Sequence, residues 1–229
     1  MADTNISGEF GRLETMGARV WACIGVVIAL GWPFARLIAG RPPGKHLTTA
    51  RSDISTIVVE WTITLILALI AFGVQRWRPA ALGLRSLSWN QVLLAIAGAT
   101  TAMVLAGAVS SQVATPKINL HELAAVPFGI RLVLVVTAGI CEEFIFRGFA
   151  IEQIGALTGS RWLGAALSLA SFGLGHYGTY GMSSAILIPT TIGLVITGLY
   201  MYSRNLSTCM LVHFGIDALS VLIVPALQR

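Results

Sequence analysis

The chain has 229 residues, of which 55% are hydrophobic and 11% charged, with a formal charge of +5 and a mean hydropathy of +0.80. That balance excludes a water-soluble globular enzyme and predicts an all-α, polytopic transmembrane helix bundle, because the apolar residues fall in blocks of bilayer length. The positive charge suits an anionic membrane surface, and no basic helix face with interleaved aromatics suggests nucleic acid.

Residues 1–18 mix acidic, basic and glycine residues without the short apolar core and small-residue site of a cleaved signal peptide, so the first span is expected to be retained. Seven spans are expected, with six to eight as the range: 20–39, 57–74, 92–113, 132–150, 162–175, 185–202 and 206–224. They form one membrane domain over 1–229. Pro33 predicts a kink in the first, and Arg36 near its end can snorkel toward headgroups. Glu60, close to the start of the second, reads as an interfacial carboxylate, with a place lining the cavity as the alternative.

The connectors at 41–51 and 75–85 are basic and suit a lipid surface. Between the third and fourth spans, TPKINLHELAAVPFG is too polar and proline-broken to cross and should lie along the interface. His121 and Glu122 begin a HExxH-like string, but Ala125 stands where its second histidine would be, so both read as solvated. Lys and Arg counts tie between the two faces, and the positive-inside rule gives no orientation. The three cysteines, Cys23, Cys141 and Cys209, lie in apolar runs and read as small hydrophobic fillers rather than a disulfide framework.

Three ionisable clusters interrupt the later spans: Glu142, Glu143 and Arg147 in CEEFIFRG, Phe172 and His176 in SFGLGH, and His213 and Asp217 in HFGID. Each charged group at the centre of a spanning helix costs about 2.5–3.5 kcal/mol, so several on one chain imply partners, water and chemistry. Residues four apart share a helix face, which lets Glu143 brace Arg147 while Glu142 is turned about 100° away and stays available. One acid and two histidines on three spans form an inventory for activating water, as bases or as ligands.

The pattern EExxxR, FxxxH, HxxxN/D on successive spans resembles the CPBP family, which holds the CAAX proteases and bacteriocin-processing enzymes. The likeness covers a catalytic core at 131–222 and extends to GLVITGLYMYSRNLSTCMLVHFGID. It implies an integral-membrane endopeptidase in a bacterial or archaeal plasma membrane, with Glu142 and His176 activating water and His213 and Asp217 stabilising the oxyanion. Glu143, Arg147 and Phe172 are supporting residues. The implied partners are a peptide or lipidated-protein substrate and membrane lipid.

Aspartate at 217, where asparagine could donate to an oxyanion, leaves three readings: it is neutral, it orients His213, or it helps hold a metal. The second is preferred. The resemblance favours a metal-free, glutamate-type protease with no cofactor; were zinc present, Glu142, His176 and His213 would be its ligands. The rival classes are a proton-coupled transporter and a non-catalytic immunity or scaffold protein.

Overall fold

The computed structural model describes residues 13, 15–38, 50–113, 120–176 and 186–226, with side chains omitted at 33–38, 50–52 and 120–122. Among these residues there is no strand, as expected of a chain whose backbone must satisfy its own hydrogen bonds in lipid. Eight helices follow one another among the described residues: α1 (Met16–Ile38), α2 (50–74), α3 (Trp89–Ser110), α4 (Leu120–Ala125), α5 (128–158), α6 (Arg161–Gly175), α7 (Leu187–Ser203) and α8 (206–226). Each expected span falls on one of these helices where it is described, except that the third runs past the end of α3 at 111–113 and the sixth starts at 186, one residue before α7.

Stretches of three helices, Asp53–Val74, Trp89–Ser110 and Leu206–Ala226, are long and apolar enough to cross a membrane by length and composition alone; the apolar parts of α1 and α7 are shorter. The motif-bearing α5 is long but interrupted by Arg131, Glu142, Glu143, Arg147 and Glu152. The interfacial segment is described only from Leu120. There α4 and the turn before Pro127 bury Leu123 and Val126, while the expectation for the His121 and Glu122 side chains lies outside the described residues.

Sequence-local signals end the helices as physical chemistry requires. Ser88 caps α3, Ser160 caps α6 and Asn205 caps α8, each accepting a backbone N–H three residues on. Gly159 and Arg204 stop α5 and α7 in the left-handed region. Gly83 has φ +76°, and a Cβ there would meet the Tyr200 ring at 2.9 Å, so the α2–α3 loop can close over the end of α7 only with glycine.

Small residues let the helices approach. Ala22, Gly25 and Ala29 form the inner stripe of α1, and Ala95, Gly98, Ala102 and Ala106 that of α3, which packs on α7 and α8. A Cβ at Gly25 would enter the Phe149 ring at 2.4 Å, and one at Gly164 would strike the Ile151 carbonyl at 2.7 Å. The outer faces carry Leu65, Leu69, Ile96, Val104 and Leu194, as lipid contact demands.

One expectation is corrected. Glu60 is not an interfacial carboxylate: it is 3% exposed, and with Asp53 and Thr64 it occupies the buried face of α2, which packs on α5. Spacings of seven and four residues bring these three to one side, and tertiary packing turns that side inward.

Candidate active site

The α-helical ladder widens into π turns at Leu69–Val74, Ala138–Glu142, Phe144–Ile151 and Ala218–Ile223. Three of these four stretches adjoin or contain the ionisable motifs. π turns are rare and gather at functional sites, where they re-aim side chains that a regular helix would hold elsewhere.

Glu143 is the hub of the buried layer. Its Oε1 accepts from Arg147 Nη1 at 2.9 Å and from His213 Nδ1 at 2.8 Å, joining the first motif to the third. Glu143 and Arg147 are fully buried, so the expected brace exists, and the arginine also meets α7. Its Nη2 donates to the Gly193 carbonyl at 3.1 Å and its Nε to Thr197 Oγ1 at 3.4 Å. A buried charge persists only when so neutralised and hydrogen-bonded.

Phe172 is the second hub. The Arg147 guanidinium lies 4.4 Å from its ring centroid, a cation–π contact in an apolar setting. The ring also stands 4.7 Å from His176, 5.4 Å from Phe146 in an edge-on contact, and 6.3 Å from His213. The aromatic residue of the second motif therefore touches groups of all three.

The reachable layer is formed by the remaining groups. Glu142 is half-buried, and its Oε2 has no hydrogen-bond partner among the described residues. His176, half-buried at the end of α6, donates from Nδ1 to the Phe172 carbonyl at 2.9 Å, which makes Nε2 its basic nitrogen. The side chain of Asp217 is 26% exposed, and its Oδ2 lies 3.6 Å from His213 Nε2. Glu142, Glu143, His176 and His213 all lie within electrostatic range of Asp217, and Glu142 within that of His213.

His213 thus stands between two carboxylates. The bond that fixes its ring goes to Glu143, while Asp217 sits beyond hydrogen-bond length on the other nitrogen. Spacing within α8 could show only the Asp217 neighbour. Gly193 and Thr197 were likewise invisible to motif reading; their one signal is the four-residue spacing that puts them on a common face of α7. Cys141 and Cys209 are buried free thiols, and Cys23 is on the outer face of α1.

No group of three His, Cys, Asp or Glu side chains arranged to hold a metal ion occurs among the described residues. Glu142, His176 and His213 are accordingly not gathered as a three-ligand set as placed, although the bond from His213 Nδ1 to Glu143 leaves Nε2 free.

Residues 124–219 match the model of a family described as Type II CAAX prenyl endopeptidase Rce1-like. No curated protein and no solved structure matches the chain significantly. The matched segment runs from the end of α4 into α8 and contains all three motifs; relative to the expected core at 131–222 it begins and ends slightly earlier. This segment, and the candidate site within it, belongs to the CPBP family of CAAX proteases.

Proposed function

We propose that the chain is an integral-membrane endopeptidase that hydrolyses a peptide bond near the membrane surface without a metal ion, Glu142 acting as general base. The observation that carries this reading is the layering of the site. Three partly reachable groups, Glu142, His176 and Asp217, are backed by a buried, mutually bonded scaffold of Glu143, Arg147, Phe172 and His213. Glu142 combines a half-buried side chain with a carboxylate oxygen that has no hydrogen-bond partner among the described residues, which leaves that oxygen able to accept from a water admitted to the site.

Glu142 takes one proton from a water whose oxygen attacks the scissile carbonyl carbon, while His176 Nε2 accepts a hydrogen bond from the same water and holds it in line. The carbonyl π electrons move onto oxygen, and with both ring nitrogens protonated His213 presents Nε2–H to that oxyanion. Collapse breaks the C–N bond, and the proton on Glu142 passes to the leaving amine. One water is consumed and a carboxylic acid and an amine are released. Glu143 holds His213 from behind, and Asp217 stands at the mouth of the oxyanion position.

The family match supports a peptide tail prenylated in the CAAX manner as the substrate class, with an unmodified bacterial peptide as the alternative. The test is reconstitution of the purified chain in lipid with farnesylated, geranylgeranylated and unlipidated reporter peptides, scored by mass spectrometry for cleavage. Cleavage abolished by Glu142→Ala and by His176→Ala in folded variants supports the reading. Unaltered cleavage in both, or proton-coupled solute uptake that both abolish, overturns it.

A further inference from the structure

We propose that Gly193 and Thr197, on a helix bearing none of the three motifs, are positioning residues: they seat Arg147 against Phe172 and so set where His176 and His213 stand. The inference deepens the proteolytic reading and rests on it for its kinetic arm.

Arg147 is fully buried, and each part of its guanidinium is assigned. Nη1 goes to Glu143, Nη2 to the Gly193 carbonyl, Nε to Thr197 Oγ1, and the plane to the Phe172 ring. A planar fork held from three directions has one seat, and α7 supplies two of its three hydrogen-bond acceptors. A helical carbonyl points along the axis toward the residue four positions on, so the Gly193 carbonyl and the Thr197 hydroxyl converge and can be met by the neighbouring Nη2 and Nε of one guanidinium edge.

Gly193 has a second duty. A Cβ there would lie 2.7 Å from Phe172 Cδ1, 2.9 Å from Cε1 and 3.1 Å from Leu169 Cδ1. The obstacle is an aromatic ring, not the end of a flexible chain, and the ring is hemmed in by Arg147, Phe146 and His176. It can yield only by moving toward groups that contact or bear the chemistry. Gly198, on the same helix, meets nothing within 4 Å, so glycine there has no such duty and serves as an internal control.

The experiment compares Gly193→Ala, Thr197→Val, Gly198→Ala, Phe172→Leu and the pair Gly193→Ala with Phe172→Leu in the full chain in lipid nanodiscs. Three quantities are read: thermal stability, the ring resonances of isotopically labelled His176 and His213, and kcat and KM on the best reporter peptide. Gly193→Ala is expected to shift both histidine resonances and to lower kcat about 10²-fold, with KM within about twofold, as a misplacement near 1 Å would. Thr197→Val does the same more weakly, and Gly198→Ala leaves resonances and kinetics unchanged.

In the Phe172→Leu background the alanine at 193 finds room, and its further effect falls below about twofold, the non-additivity of a contact pair. Unmoved histidine resonances in folded Gly193→Ala, or an equal loss of kcat with and without Phe172, overturn the proposal. If Gly193→Ala does not fold, unmoved resonances in Thr197→Val overturn it, and shifted ones confirm it. If the wild type cleaves nothing, the proteolytic reading fails alone, since the resonances still decide the positioning claim.

Discussion

Helix α5 buries two carboxylates nine residues apart, and they are used differently. Glu152 is fully satisfied: Oε1 accepts from Tyr200 Oη at 3.0 Å and Arg204 Nη1 at 2.5 Å, and Oε2 from Arg161 Nε at 3.2 Å. It clasps the ends of α5 and α7 and the start of α6, and Tyr200 reaches on to the Leu82 carbonyl. Glu143 spends Oε1 on Arg147 and His213, while its own Oε2 and the Oε2 of neighbouring Glu142 are buried with no hydrogen-bond partner among the described residues. A buried acid beside arginine is thus no mark of chemistry in itself. What separates the two regions is whether the cluster closes on itself or borders groups that a substrate can reach.

This contrast can be broken by mutation. The largest effect is expected from Glu142→Ala, which should lower kcat about 10²–10⁴-fold, the range for loss of a general base, with an unchanged melting temperature. Steady-state cleavage beside a thermal melt checks both halves. The mirror outcome belongs to the clasp: Glu152→Ala leaves Arg204 and Arg161 without their acid and should cost about 3–5 kcal/mol of stability. Activity per folded molecule is expected to stay within about twofold, since a distant structural site contributes independently. Denaturant titration in lipid–detergent mixtures, with activity normalised to folded fraction, measures both.

Glu143→Gln sharpens the comparison, because it keeps the shape of the hub but removes its charge. Each hydrogen bond to a charged group is worth about 1.5–3 kcal/mol, so kcat should fall about 10–100-fold through the loosened His213, with a modest drop in melting temperature. A fall in stability alone would place Glu143 in the same class as Glu152. The smallest change is expected from chelation: exhaustive treatment with a strong zinc chelator leaves cleavage unaltered, while stoichiometric zinc whose removal abolishes it would revise the role of Glu142.

Much of this was legible in the chain. The intrahelical pairs Glu143 with Arg147, Phe172 with His176, and His213 with Asp217 follow from four-residue spacing, and all three lie near one another across their turns. Glu152 was not legible, because its partners Tyr200, Arg204 and Arg161 come from other helices and form no short motif. Glu60 was misread for a related reason: proximity to a helix start suggests an interface, but the packing of α2 on α5 decides its burial. The π turns were also hidden, since periodicity assumes 3.6 residues per turn and a widened turn leaves no compositional trace.

The sequence by itself determined the membrane class, the helical character of the apolar stretches and the same-face pairs within each motif, because all of these depend on local composition and on the geometry of a single helix. Only the tertiary structure decided that Glu143 rather than Asp217 fixes His213, that Arg147 lies against Phe172, and that Gly193 and Thr197 hold the arginine. Those contacts join separate helices, and their existence depends on crossing geometry, register and close approach at small residues, quantities that no single helix encodes.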